Sequence, residues 1–528
     1  MLQVPIIHNN IAHCFIPVCM ENVISMYCEY MGLEYQAIFT QAYTFHFDKT
    51  MCGSGRIADG LTVKYDCFSW LERLYQIKMR KKSFLFFSSM IKYLSKRIEK
   101  NQPCIIHMDS YYLEWSSFFQ KEHTLHFVLV TDVNQEKKTI TVIDSIDREQ
   151  PEELSFDTLK SGCQFILELQ QPKKPIKINQ QSLERAILEG SYEVIDVNRF
   201  EEMEEFAQAF QQMFSPDVEF RDKQNAVLMA TEKMVDELRK NIKGINLFVL
   251  WMLWREEHTK SDRFHDAICQ YRQVMSQWNL FINILYKKSL SGWEDDFYQK
   301  AYDKIMEITG LEREAYQSFL TGLKEEKPQS DYENNSDGEK TKKKTKKIYI
   351  PLDLHGFMNN DGFCGGSHKA KGNLTGVGEY FVWDKEPEGQ LEADGIPFLL
   401  ETNNKYNNII CQGQKLILPE ERNAELKNRK LQGIAMICCA EWGTSWERIE
   451  CMRKDDTVFQ IPVLIKDIAQ YEENNACLFG KTFGKTGELI RQRAAVFVEK
   501  MEFPQEEFCQ IILPKAENIH ILALTLIA

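Results

Sequence analysis

Hydrophobic positions change their spacing along the chain. Between residues 180 and 322, apolar residues recur every three or four positions and glycines are rare, as in NAVLMATEKMVDELRKNI. This period predicts amphipathic helices. From residue 348 onward, short apolar runs such as VFQIPVLI and IHILALTLI are separated by segments rich in Gly, Asn and Pro. That pattern is typical of an antiparallel β-sandwich.

The first 170 residues combine both patterns. Residues 17–30 (PVCMENVISMYCEY) predict a helix that begins at Pro17 and ends near Gly32. Short β-type runs predict three strands at CIIHM (104–108), HFVLVT (126–131) and TITVI (139–143). A helix followed by a sheet indicates an α+β domain.

A charged segment separates the helical and β-rich regions. Residues 324–347 (KEEKPQSDYENNSDGEKTKKKTKK) contain an acidic block and then a basic block, with almost no apolar residue to bury. Such a segment is expected to be a disordered linker. A weaker boundary lies at the polar PKKPIK, residues 172–177. The predicted fold is multidomain α+β, with an N-terminal α+β domain (1–172), an all-α middle domain (173–323), the linker (324–347) and a C-terminal β-sandwich (348–528).

Composition narrows the class of protein. The 528 residues carry 64 Lys+Arg and 77 Asp+Glu, and a net charge of −13 argues against a protein that coats nucleic acid. The apolar run INLFVLWMLW (245–254) is too short to cross a bilayer, so no membrane segment is expected. Fifteen cysteines, an odd and scattered number, indicate reduced thiols rather than a disulfide framework. We therefore expect a soluble, cytoplasmic protein.

Two cysteines lie where a thiol can be activated. A free thiol with a pKa near 8.5 is only about 3% ionised at pH 7, and a helix N-terminus or a histidine favours the thiolate. Cys19 lies in the first turn of the predicted helix, and Cys14 lies just before it, beside His13. His126 begins a predicted strand and Asp144 ends the next, so pairing would bring imidazole and carboxylate together as in a Cys-His-Asp triad. The alternative is that both cysteines are small buried hydrophobic residues.

Three phrases of this region, PCIIHMDSYYLEW, HFVLVTDV and ITVIDS, resemble papain-like enzymes. The resemblance is closest to the bacteriocin-processing peptidases and to the butirosin-biosynthesis acyltransferase family, and it covers about residues 8–165. Together the three phrases look particularly like the acyltransferase family and its relatives in peptide and polyketide antibiotic clusters. The resemblance implies that Cys19 is the nucleophile, His126 the base and Asp144 the orienting acid. Because the family often places the nucleophile after a histidine, Cys14 is the alternative nucleophile.

The resemblance also implies groups that bind substrate. Papain-like enzymes tend to place an amide side chain about six residues before the nucleophile for the oxyanion, and His13 occupies that position here. Asn9 and Asn10 are nearby substitutes, or the backbone N–H of the nucleophile serves. His123, in a predicted loop, and Asp109, after a buried strand, are further candidates for substrate binding. For both, a structural role is the alternative.

The implied activity is acyl transfer in the biosynthesis of a nonribosomal peptide, polyketide or aminoglycoside. An acyl group would move from a carrier-protein thioester, through an acyl-cysteine, to an amine, or be released by hydrolysis or cyclisation. The expected partners are an acyl or peptidyl carrier protein and a small amine acceptor, with no nucleic acid and no membrane. A papain-like peptidase and a non-catalytic carbohydrate- or peptide-binding protein are the alternatives.

Residues 348–528 resemble β-sandwich modules appended to bacterial glycoside hydrolases, through LDLHGFMNNDG (352–362), NNIICQGQKLILP (407–419) and IILPKAENIHILALTLI (511–527). This resemblance implies a jelly-roll-like module that binds a carbohydrate or docks against another part of the protein. The alternative is that the Asn-rich segments only form tight turns. The aromatic residues available to a carbohydrate are Tyr380, Phe381, Trp383, Trp442 and Trp446.

Metal and cofactor motifs are lacking in the sequence. No pair of CxxC motifs is present, and GSGRIADG (53–60) lacks the lysine of a phosphate-binding loop. Cys438 and Cys439 are adjacent in a predicted strand and would point to opposite faces. We therefore predict no metal and no cofactor.

Overall fold

A computed structural model gives the fold of most of the chain. The described residues are 1–9, 18–42, 45–53, 55–63, 68–116, 118–146, 148, 150–170, 199–222, 229, 232–293, 296–324, 347–364, 372–385, 389–400, 406–418, 430–470 and 476–528. They form two compact units. The first unit comprises the described parts of Met1–Ile11, Phe15–Glu219 and Lys233–Tyr271, and the second comprises those of Phe220–Glu232 and Arg272–Ala528. Within these residues, no helix combines the length and apolar character that a membrane span requires.

The predicted domain boundaries coincide with parts of the chain that are not described. The boundary near residue 172 falls within 171–198, and the linker predicted at 324–347 is described only at its two end residues. The division into domains at these positions therefore stays a prediction.

The N-terminal 170 residues contain the predicted mixture of helices and strands. The helices here are α1 (Cys19–Tyr30), α2 (Ser69–Tyr75), α3 (Phe87–Ile98) and α4 (Phe156–Gly162). The strands are β1 (His46–Phe47), β2 (Leu61–Thr62), β3 (Lys78–Lys82), β4 (Cys104–Asp109), β5 (Leu125–Asn134), β6 (Thr139–Ile143), β7 (Glu152–Ser155) and β8 (Cys163–Gln170). β1 pairs with β2, and the others form an antiparallel sheet in the order β3-β8-β4-β5-β6-β7. The three predicted strands are thus confirmed as β4, β5 and β6.

Helix α3 covers one face of this sheet. Its apolar residues Met90, Ile91 and Leu94 follow helical spacing and pack on sheet residues that include Ile106 and Val128. Leu94 is fully buried, so truncating it to alanine is expected to cost about 2–5 kcal/mol of unfolding free energy. This core holds the strand ends in a fixed register.

Helix α1 is buried along most of its length, from Glu21 to Cys28. It ends where the sequence predicts, because Gly32 adopts φ 72° and the N–H of Leu33 donates to the carbonyl of Cys28 at 2.9 Å. The predicted start at Pro17 lies outside the described residues, and the described helix begins at Cys19.

The middle of the chain is helical, as predicted. The described helices are α5 (Arg199–Met213), α6 (Pro216–Glu219), α7 (Lys233–Thr259), α8 (His265–Ser291) and α9 (Phe297–Lys324). The apolar run at 245–254 lies within α7 and contributes the buried Trp251. In the first unit, Phe206 of α5 makes edge contacts with Phe45 and Phe47, at ring-centroid distances of 5.9 and 5.4 Å.

The C-terminal region is β-rich, as predicted. Its strands are β9 (Tyr349–Pro351), β10 (Phe363–Cys364), β11 (Tyr380–Trp383), β12 (Gln390–Ala393), β13 (Ile396–Leu399), β14 (Ile409–Ile410), β15 (Lys415–Ile417), β16 (Leu431–Ala440), β17 (Ser445–Met452), β18 (Val458–Ile465), β19 (Ala476–Phe483), β20 (Leu489–Glu506), β21 (Gln510–Ile512) and β22 (Ile519–Ile527). One sheet runs β10-β11-β19-β20-β16-β22-β14 with β9 beside β22, and another runs β15-β21-β17-β18. Pairing is antiparallel except between β10 and β11.

Strand β16 contributes side chains to two hydrophobic cores, one on each face of its sheet. Cys438 packs in the core that contains Ile449 of β17 and Ile511 of β21, whereas Cys439 packs in a second core with Phe398 of β13. Neighbouring side chains of a strand alternate between faces. The two cysteines therefore point to opposite faces, as predicted, and β16 is buried on both.

The Asn-rich segments make contacts with each other. Asn360 and Asn408 form an isolated β-bridge, and the Asn407 amide donates to Asp361 at 2.7 Å. Among the aromatic residues considered for carbohydrate binding, Tyr380 and Phe381 are buried. Those two side chains are therefore not part of an exposed carbohydrate-binding face.

Candidate active site

The site is centred on His126, near the start of β5. Its Nε2 lies 2.8 Å from Oδ2 of Asp144, which directly follows β6, and its ring is also hydrogen-bonded to the Cys19 thiol. The pairing of Leu129 with Ile143 places the two strand ends side by side. The residues predicted as nucleophile, base and orienting acid thus lie together in the first unit.

Burial and charge act in opposite directions on this histidine. Burial alone lowers the pKa of His126, but hydrogen bonds and negative charge from Asp144 and Cys19 outweigh it and raise the pKa to about 10. The imidazole is therefore protonated at neutral pH. Burial raises the pKa of Asp144, yet its contact with His126 keeps that pKa below its usual value. The aspartate remains ionised beside the imidazolium.

Asp144 is held by a residue to which the sequence assigned no role. The Trp115 indole N–H donates to Oδ2 at 2.9 Å, so the oxygen that meets His126 has a second donor. The other carboxylate oxygen accepts from the backbone N–H of Ile146 at 3.2 Å. Asp144 is only 1% exposed, and these contacts replace the water that burial removes. Trp115 ends the phrase PCIIHMDSYYLEW, which is the signal that pointed to it.

Cys19, the predicted nucleophile, is the first residue of α1. Cys19 is half-buried, and the apolar Val18 before the helix provides no side-chain cap. The amide groups of a first helical turn have no partners within the helix, and they carry part of the positive end of the helix dipole. Such amides stabilise a thiolate or the oxyanion of a tetrahedral intermediate.

Other thiols of the first unit have environments that suppress reactivity. Burial raises the pKa of Cys28 to about 12, with a smaller effect of Glu29, and burial raises that of Cys104 to about 11. Burial likewise raises the pKa of Cys163 to about 12. Since the thiolate is the nucleophile, these cysteines are expected to be inert.

Asn9, one of the two asparagines predicted to stabilise the oxyanion, is hydrogen-bonded to residues of α1. Its backbone N–H donates to Oδ1 of Asn22 at 3.0 Å, and its side-chain amide donates to Oγ of Ser25 at 2.8 Å. Asn9 is 1% exposed. These contacts fix the N-terminal segment against the helix that begins at Cys19.

Asp109 and His123 form a separate pair. His123 Nδ1 lies 2.6 Å from Oδ2 of Asp109, and its ring stacks on Tyr111 at 4.3 Å. Asp109 also accepts from the backbone N–H of Tyr111 at 3.0 Å. The histidine side chain is 64% exposed. Their predicted role in substrate binding stays a prediction.

Three further residues of the sequence-based hypothesis lie outside the described residues. These are His13, Cys14 and Asn10. Cys14 as an alternative nucleophile, and His13 as a substrate-binding group, therefore stay predictions.

Comparison with known proteins agrees with the predicted butirosin-like N-terminal region and with the predicted β-sandwich at the C-terminal end. Residues 19–145 match the family model described as Butirosin biosynthesis protein H, N-terminal, and residues 345–528 match the AziU2-like beta-sandwich domain. No curated protein matches the chain. The first match begins at Cys19 and includes Asp144, so the hydrogen-bonded group lies within it.

These matches confirm two parts of the predicted fold. The butirosin family model implies that the N-terminal region has a papain-like fold, and it also implies a biosynthetic enzyme of the acyl-transfer type. The second confirms a C-terminal β-sandwich.

Proposed function

We propose that the chain is a cysteine acyltransferase of natural-product biosynthesis that takes its acyl group from a carrier-protein thioester. One observation carries the proposal: His126 is hydrogen-bonded to both Asp144 and Cys19, within the region that matches the butirosin family model. A thiol, an imidazole and an orienting carboxylate in this order are the components of a cysteine nucleophile.

In the first half-reaction, the Cys19 sulfur attacks the thioester carbonyl and forms a tetrahedral oxyanion. Amide groups at the start of α1 stabilise that charge. The bond between the carbonyl carbon and the carrier sulfur then breaks, and His126 gives its proton to the departing thiol. The products are acyl-Cys19, a neutral imidazole and the free carrier thiol.

In the second half-reaction, an amine attacks the acyl-Cys19 carbonyl. The neutral imidazole takes the proton that the amine nitrogen loses as the new amide bond forms. Cleavage of the carbon–sulfur bond returns the Cys19 thiolate beside the protonated His126. Water in place of the amine gives hydrolysis, and an amine within the acyl chain gives cyclisation.

The contacts of His126 support both steps. With Nε2 bound to Asp144, Nδ1 is the ring nitrogen that can exchange a proton with the reacting groups. Asp144, aligned by Trp115, keeps the ring in this orientation through the cycle. Attack by a thiolate requires a reduced cysteine, which fits a cytoplasmic enzyme.

We further propose that Asp109 and His123 meet the acceptor amine. Asp109 has a carboxylate side chain that is 13% exposed, and it is paired with an exposed histidine. A carboxylate of this kind attracts an ammonium group through a charge-assisted hydrogen bond. The pair thus offers a docking point for an amine substrate.

The test is product formation from a synthetic donor. We expect the full chain to convert acyl-N-acetylcysteamine thioesters and small amines, such as amino sugars, into amides. Cys19→Ser should lose this activity, and Cys269→Ser, a matched change at a half-exposed thiol of α8, should retain it. Mass spectrometry of the products is the measurement. Cleavage of unmodified peptides without any use of thioesters would instead establish a peptidase.

A further inference from the structure

The second unit contains a cavity of about 460 Å³. Helices α8 and α9 line it together with the loops that follow β16 and β21. Its volume lies in the range of small-molecule binding sites. Phe281 and Ile284 of α8 and Phe297 of α9 provide an apolar wall.

The rest of the lining is predominantly basic. Five lysines face three glutamates, which leaves an excess of two positive charges. The residues are Lys287, Lys288, Lys300, Lys304, Lys515, Glu307, Glu441 and Glu517. Glu307 is already paired with Lys304 at 3.2 Å. Lys515 is exposed and has no ion-pair partner within the described part of the chain. Lys300 pairs with Asp296 at 2.6 Å and Lys287 with Glu441 at 3.8 Å, so Lys515 is the ammonium group that the lining offers to an anion.

Two buried oxygen atoms in the lining are hydrogen-bond acceptors without a donor. Glu441 and Asn518 are 2% and 5% exposed, and neither Oε2 of Glu441 nor Oδ1 of Asn518 has a partner within the described residues. The Asn518 amide nitrogen donates to Oγ of Ser445 at 2.8 Å, which fixes the orientation of its oxygen. A buried acceptor without a donor is energetically unfavourable. A ligand with N–H or O–H groups would remove that cost.

The backbone at the cavity is also unusual. Trp442, which follows Glu441 and lines the cavity, adopts φ 57°, a left-handed conformation that is unfavourable for a bulky residue. Its indole N–H donates to the carbonyl of Thr375 at 3.2 Å and helps to hold it there. Strain of this kind is found preferentially at functional sites.

We propose that this cavity binds a small organic anion, a phosphate or a carboxylate, that also carries amine or hydroxyl groups. The anionic group meets Lys515, the donors meet Glu441 and Asn518, and the carbon skeleton lies on the apolar wall. This proposal does not rest on the chemistry proposed for Cys19, and either proposal can fail without the other.

The test is isothermal titration of the full chain with three probes. Glucosamine 6-phosphate and glucuronate carry donors with a phosphate or a carboxylate, and glucose carries donors alone. We expect at least one anionic probe to bind at least tenfold more tightly than glucose, and the better of the two identifies the anion. Absence of binding by both anions, or equal binding of glucose, would overturn the proposal.

Variants then locate the binding. Lys515→Met keeps most of the side chain but removes its charge. It should weaken the affinity for the anionic probe about tenfold and leave the affinity for glucose unchanged. Lys160→Met, at an exposed lysine of α4, is the matched control and should bind as the wild type does. Glu441→Gln should also weaken binding of the amine-bearing probe. Unchanged affinity in both Lys515→Met and Glu441→Gln would show that the probe binds elsewhere and refute the assignment.

Discussion

The described residues of the first unit include two His–Asp pairs whose histidines are close in sequence but differ greatly in environment. His123 and His126 are three residues apart, and their distances to Asp109 and Asp144 are 2.6 and 2.8 Å. The His123 side chain is 64% exposed, whereas that of His126 is 9% exposed. The shorter contact is thus in the pair that is open to water.

Hydrogen-bond length alone does not distinguish the pair that we propose to be catalytic from the pair that we propose to bind substrate. Around His126, burial weakens the screening of charges by water, and a third residue, Cys19, interacts with the same imidazole ring. Around His123, the third contact is stacking on Tyr111, which provides no proton to exchange. Surface pairs of this kind contribute little to stability because water screens them. The two pairs therefore differ in the burial of the histidine and in the third residue that contacts its ring.

Replacement of each histidine should give the largest contrast. His126→Ala removes the group that moves protons, so we expect acylation from a thioester donor to fall by about 10³-fold. His123→Ala should leave kcat within about threefold and raise KM for the amine, because its proposed role is in binding. Steady-state kinetics of both variants measure this. Equal losses of kcat in the two variants would abolish the distinction.

Replacing the two aspartates should give the same contrast between kcat and KM, with a smaller change in kcat. Asp144→Asn keeps the size of the side chain but removes the charge that stabilises the imidazolium, and we expect kcat to fall by about 10²-fold. Asp109→Asn should change KM for the amine and not kcat. If the kcat of Asp144→Asn stayed at the wild-type value, Asp144 would not be the orienting acid.

The buried pair should also make stability depend on pH. The folded-state pKa of His126, about 10, exceeds the unfolded value of about 6.5, so its contribution is fully present below pH 6.5 and is lost as pH rises towards 10. The lost free energy of unfolding should be on the order of a few kcal/mol. Asp144 has a lowered pKa, so its contribution is lost as the pH falls through that value.

Chemical denaturation between pH 6 and 10 measures this loss. His126→Gln should flatten the alkaline decline in stability, and His123→Gln should retain the wild-type profile because its ring is exposed. A decline of the same size in His126→Gln would assign the pH dependence to other groups.

Removal of the Trp115 hydrogen bond should have the smallest effect. Trp115→Phe keeps an aromatic ring but leaves Asp144 with one donor fewer, which costs about 1 kcal/mol and corresponds to about a fivefold fall in kcat. Because the remaining contact with His126 persists, activity should not disappear. Phe84→Leu, a change at an aromatic residue whose ring contacts are with Tyr93 and Lys82, is the control. A wild-type kcat in Trp115→Phe would make the tryptophan a packing residue only.

Local patterns were sufficient to predict the elements that carry the proposed triad. The alternation of apolar residues predicted β5 and β6, and the helix signals predicted α1. The residues at their ends, Cys19, His126 and Asp144, followed from those elements and from the family resemblance. Short-range periodicity is visible in a single sequence because it reflects which side of an element is buried.

Contacts between distant segments were not predictable in this way. Trp115 reaches Asp144 from a loop after β4, and this contact depends on the strand register and on the path of that loop. The cavity beside Glu441 depends on how α8 and α9 pack on the loops of the β-sandwich within the second unit. Such packing depends on the shapes of many side chains at once, and no local spacing encodes it.

The site of acylation is the most direct test of the account. The full chain would be incubated with an acyl-N-acetylcysteamine thioester without an amine, and peptide mass spectrometry would locate the acyl group. We predict a stoichiometric adduct on Cys19 that is absent in Cys19→Ala and unchanged in Cys14→Ala. An adduct that persists in Cys19→Ala and disappears in Cys14→Ala would contradict the central claim.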